Sequence, residues 1–119
     1  MEKEFIPYEQ ALALRKLGLK VDFAFGHYNY STRKMRDYIN ERVTKSFFPA
    51  PTFSQAFRWF REKYKLYSCI ERVEYINSDE KGFQWSIFEK CSNVGEELKT
   101  YEEAELECLK KLIEIVKRK

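Results

Sequence analysis

The stretch Ala50-Pro51-Thr52-Phe53-Ser54-Gln55-Ala56-Phe57-Arg58-Trp59-Phe60-Arg61-Glu62-Lys63-Tyr64 decides how the rest of the chain is read. Thr52 followed three residues later by Gln55 is the spacing of a capping box, in which two orphan backbone donors of a helix start are satisfied reciprocally. Phe53, Ala56, Phe57, Phe60 and Tyr64 then recur at helical spacing and form one apolar stripe. Pro49 and Pro51 end whatever precedes. The spacing predicts a helix from about Phe53 to Tyr64, with Trp59 off the stripe and Arg58, Arg61 and Lys63 around it.

The same starting chemistry recurs on both sides of this helix. Thr100-Tyr101-Glu102-Glu103-Ala104 predicts a helix to about Lys117, with acids in its first turns and Lys117, Arg118 and Lys119 at its end, an order that complements the macrodipole. Its apolar face is Leu106, Leu109, Leu112, Ile113 and Val116. Pro7-Tyr8-Glu9-Gln10-Ala11 opens a first helix that stops at Gly18, where a left-handed residue is wanted. Strands follow from alternation. Val21, Phe23 and Phe25 make one, and Phe83, Trp85 and Ile87 another. Tyr67 to Ile76 is rich in β-formers and joins the latter through the polar loop Asn77 to Gly82. Ser31 to Lys45 reads equally as a helix or as a long basic loop. The order helix, strand, uncertain segment, helix, strand, strand, helix implies an α+β class. The expected architecture is one domain over residues 1–119, with a small antiparallel sheet of three to four strands and about three helices.

Composition bounds the chemistry. The 119 residues are 44% hydrophobic, 17% aromatic and 34% charged with both signs interleaved, which is globular and not disordered. A net charge of +3 is too slight to argue for a nucleic-acid partner or against one. Cys69, Cys91 and Cys108 are far apart and odd in number, so neither a disulfide framework nor a zinc site is expected; they read as free buried thiols in a reducing cytoplasm. Met1-Glu2-Lys3-Glu4 has no apolar run behind it, and no stretch approaches the span of a bilayer, so neither a secretory signal nor a membrane partner is expected.

Several catalytic devices fail on spacing. Gly18, Gly26, Gly82 and Gly95 never cluster, which removes the phosphate loop and the dinucleotide fingerprint and leaves no cofactor to expect. His27, the single histidine, has no serine in a nucleophile-elbow setting and reads as structural. Asp79 with Glu97-Leu98-Lys99 resembles the acid and Glu-x-Lys trio of metal-dependent nucleases, but without adjacent strands to carry it the charges read as solvated turn residues. No catalytic and no metal-binding residue is assigned, and the chain is expected not to be an enzyme.

Two surfaces remain. Trp59 beside Arg58 and Arg61 has the composition of an interface hot spot, set against burial of the ring under another segment. Tyr28, Tyr30, Arg33, Lys34 and Arg36, continued by Tyr38, Arg42 and Lys45, mix arginines that pair with phosphates and rings that stack on bases. The plainer account of that segment is a solvated basic loop with some tyrosines folded onto the core.

Three stretches together resemble a family of small bacteriophage and prophage proteins without an assigned activity: Glu4 to Leu14, Ala50 to Tyr64 and Thr100 to Ile113. The resemblance implies a protein made in a bacterial cytoplasm during infection or lysogeny. The resulting expectation is a non-enzymatic interaction protein acting by surface binding on an unknown protein partner or on itself as a homodimer. The alternative is a protein that binds or sequesters nucleotides or nucleic acid through residues 28–45.

Overall fold

The computed structural model describes residues 5–21, 26–36, 47–74, 81–88, 92–95 and 97–118. Its elements run α1 (Tyr8–Lys16), β1 (His27–Asn29), β2 (Met35–Arg36), β3 (Phe47–Pro49), α2 (Phe53–Tyr64), β4 (Tyr67–Glu74), β5 (Lys81–Phe88), β6 (Ser92–Val94) and α3 (Tyr101–Lys117). The fold is α+β, with antiparallel pairing throughout the described strands and an element order that follows the expected one roughly. The strands are shared between two three-stranded sheets, ordered β2-β1-β3 and β4-β5-β6. The additional sheet is built around the stretch Ser31 to Lys45 that read equally as helix or loop, with β2 inside it and β1 and β3 on either side. The alternating stretch at residues 22–25, the loop at 77–80 and residues 37–46 lie outside the described residues. Among the described residues no helix is long and apolar enough to cross a membrane.

The chain divides into two compact units, Met1–Ala56 and Phe57–Lys119. In the first, α1 ends as its sequence demands. Gly18 takes φ 105°, its N–H donates to the Arg15 carbonyl, and the Leu19 N–H donates to that of Leu14. This is the paired closure of a helix on a left-handed residue, which glycine adopts without steric cost. β1 lies between β2 and β3 with Tyr28 opposite both Met35 and Phe48. The Phe5–Thr52 bridge and the Ile6 N–H to Pro51 carbonyl bond tie the N-terminal segment down beside the start of α2. Ile6, Leu14 and Phe48 are fully buried. The α2 box is reciprocal: the Thr52 N–H donates to Gln55 Oε1 at 2.9 Å, and the Gln55 N–H to Thr52 Oγ1 at 3.2 Å.

In the second unit, β4 and β5 pair in register from Tyr67 opposite Phe88 to Glu74 opposite Lys81. Alternation sends Phe83, Trp85 and Ile87 to one face, against which α3 packs, with the Phe83 and Tyr101 rings edge to face at 5.8 Å. Thr100 caps α3 by accepting from the Glu103 N–H at 3.1 Å. The buried stripe of α3 is Ala104, Cys108, Leu109, Leu112, Ile113 and Val116, while Leu106 is only half-buried. Beyond β6, Leu98 continues along the β5 edge through two backbone bonds to Phe83.

Candidate binding surfaces

In the first unit a tight turn builds a polar surface. Asn29 ends β1, and its side-chain oxygen accepts from the N–H groups of Ser31 (2.8 Å) and Thr32 (3.0 Å). Backbone bonds from Arg33 to Asn29 and from Asn29 to Lys34, each 2.9 Å, close the turn into β2. The hairpin loop closes on a left-handed residue, Arg33, at φ 61°. The conformation aims the Arg33 guanidinium over the Tyr8 ring, 5.6 Å from its centroid. Tyr8 in turn donates its hydroxyl to the Tyr30 carbonyl at 3.2 Å.

The rings beneath form a cluster. Tyr30 lies 4.8 Å from Phe48, and Tyr8 meets Phe48 edge-on at 5.6 Å. Arg15 stands over Phe48 at 5.9 Å. Tyr8 and Arg15 are seven residues apart on α1, two helical turns, and therefore share a face. Two cations thus flank a ring cluster in which Tyr30 remains 38% exposed. Arg15 also lines an open cleft of about 460 Å³ with Gly18, Leu19, Lys20, Val21 and Pro49.

Of the residues expected here, Tyr30, Arg33 and Lys34 are exposed at the turn. Tyr28 is not a surface group. It is buried, and its hydroxyl donates to the Ile6 carbonyl at 2.6 Å, because β1 turns this side chain onto Phe48 and the N-terminal segment. Arg36 is described by its backbone alone, which pairs with His27. Tyr8, Arg15 and Phe48 escaped the sequence reading. The spacing of an aromatic and an arginine two turns apart on α1 was the available signal. His27 is half-buried, its Nδ1 has no hydrogen-bond partner among the described residues, and burial lowers its pKa below the usual 6.5. At neutral pH it is uncharged and adds nothing to the cationic surface.

On α2, the Trp59 ring is half-buried and rests edge-on against Phe60 (5.0 Å) and Tyr64 (5.3 Å), with the Lys63 ammonium 5.2 Å from its centroid. Arg58 is tied to Glu62 at 2.9 Å, which raises the pKa of the guanidinium and lowers that of the carboxyl; Arg61 is exposed. Trp59 is thus neither core nor fully presented.

The nuclease-like trio is not assembled among the described residues. Glu97 and Lys99 are exposed, Glu97 sits beside Gly82 on the β5 edge, and Asp79 lies outside the described residues, which hold no group of three metal-ligating side chains. Cys108 is buried as expected, and burial pushes its thiol up to about 12. Cys69 is exposed instead, because β4 turns it to the face away from α3; Cys91 lies outside the described residues.

Comparison with protein-family models, curated protein sequences and solved structures finds no match.

Proposed function

We propose that this protein acts by binding and not by catalysis, and that the arginine-flanked ring cluster of the first unit takes a small nucleotide. The observation that carries the reading is the placement of Arg15 and Arg33 over rings of one cluster that leaves Tyr30 exposed. A guanidinium stacked on a ring is held in orientation, while its N–H edge stays free to pair with phosphate in a bidentate manner. A ring face beside it offers stacking to a base. The cleft that shares Arg15 has the volume of a small-ligand site. A sequestering protein of this size suits the phage setting that the resemblance implies. Recognition of a partner protein through Trp59 and Arg61 is the second reading, supported by the half-exposed indole.

Titration calorimetry with ATP and ADP, and with adenosine and inorganic phosphate as separate arms, tests the first reading. The nucleotides are expected to bind, each fragment much more weakly, and the affinity to fall as salt screens the attraction between guanidinium and phosphate. Arg33→Gly, which suits the left-handed turn, and Arg15→Ala are each expected to weaken binding about tenfold or more, as loss of a charged contact does. Nucleotide binding that is absent at millimolar concentration, or indifferent to both substitutions, overturns the reading. Preference for a thymidine oligomer over nucleotides reassigns the surface to single-stranded nucleic acid.

A further inference from the structure

We propose that two copies of this chain pair along β4, antiparallel and about a two-fold axis through Ile70, joining their β4-β5-β6 sheets into one. β4 spans eight residues, and among the described residues its only strand partner is β5. Tyr67, Cys69, Glu71 and Arg72 on it are exposed, Tyr67 to 49%. A long strand edge carries a row of backbone donors and acceptors that another strand can satisfy.

The charges on β4, together with the length of strand that overlaps, select the register. Pairing with β5 puts Tyr67, Cys69, Glu71 and Val73 on one face with Phe88, Ser86 and Gln84, and puts Ser68, Ile70 and Arg72 on the face that α3 covers. When the two-fold axis is perpendicular to the sheet, like faces stay together, so each residue meets one of the same face. Centring on Glu71 sets two carboxylates opposite each other, and centring on Arg72 sets two guanidiniums so; like charges directly opposite are destabilising. Centring on Cys69 moves Tyr67 opposite Glu71 and shortens the overlap. Centring on Ile70 pairs the strand from Tyr67 to Val73 with no like charges opposed. Tyr67 then meets Val73, an aromatic against a β-branched side chain, Ser68 meets Arg72, and Cys69 meets Glu71. Phe88, opposite Tyr67 and 48% exposed, and Val94, opposite Ser86 and 60% exposed, extend the apolar row on the same outer face. An exposed apolar row continuous with an edge that no other described strand pairs is where association is expected.

Sedimentation equilibrium of the full chain at tens of micromolar tests this, and the expected mass is that of two copies. Cys69→Glu sets a new carboxylate against Glu71 of the other copy, twice per dimer, and is expected to weaken association about tenfold or more. Adding Glu71→Lys turns both contacts attractive and restores it. Both positions are exposed, so melting of the monomer is expected to hold and serves as the folding control. In a Cys69→Ser background, Ile70→Cys is expected to crosslink two copies on mild oxidation, since directly opposed residues lie within disulfide reach. A single-copy mass for the wild type, or a dimer indifferent to Cys69→Glu, overturns the proposal. Failure of Glu71→Lys to restore association overturns the register.

Discussion

Gly95 lies against the indole of Trp85, and a Cβ built there would fall 1.9 Å from the ring. The position is closed by packing, because β5 turns Trp85 inward and the chain leaving β6 crosses its ring while donating the Gly95 N–H to the Trp85 carbonyl. Gly95→Ala is expected to cost about 1–3 kcal/mol, the usual price of overpacking. Gly82→Ala meets its nearest neighbour, the Leu98 carbonyl oxygen, at 3.4 Å and is expected to be much milder. Urea denaturation of the two variants checks the contrast, and equal midpoints would mean that the indole moves aside. The same local logic governs Cys108, whose thiol burial keeps protonated, and His27, which burial keeps neutral at pH 7.

At the scale of the element, α2 shows what a short pattern can specify. Phe60 is fully buried and Phe57 half-buried on the apolar stripe, whereas Lys63 is exposed over the rings of Trp59 and Tyr64. Phe60→Ala is expected to cost about 3–5 kcal/mol, and Lys63→Ala no more than about 1 kcal/mol for an exposed cation–ring contact. Chemical denaturation reads both, and comparable losses would mean the buried face is elsewhere. The capping residues Thr52, Gln55 and Thr100, the stop at Gly18 and the alternation of Phe83, Trp85 and Ile87 were legible because each is settled by neighbours within a turn or a strand. The sheet of β1, β2 and β3 was not. Its strands are two or three residues long and carry too little alternation to register, and they are fixed by the pairing of Tyr28 with Phe48 and by the Asn29 turn. The binding surface was half legible for the same reason. Tyr30 and Arg33 stood together in the chain, but Tyr8, Arg15 and Phe48 join them only through tertiary contact.

For the whole molecule, the net charge of +3 falls to the first unit, where nine Lys and Arg stand against six Asp and Glu, while the second unit has thirteen of each. The β4 edge belongs to the second. The two proposed activities draw on separate residues and are expected to be independent, as distant sites usually are. Arg33→Gly should leave the sedimentation mass unchanged, and Cys69→Glu should leave the ATP titration unchanged; a shift in either measurement would show that the two are coupled. Among the described residues, two left-handed positions other than Gly18 add a lesson for redesign. Arg33, at φ 61°, and Lys65, at φ 57° behind α2, are both places where glycine is sterically easier, at the cost of a freer unfolded chain, so a search for a more heat-resistant version of this chain would try them. At Lys65 the exchange only eases a helix end. At Arg33 it deletes the cation over Tyr8, so a redesign that kept the exchange for its effect on melting alone would discard the ligand surface unnoticed.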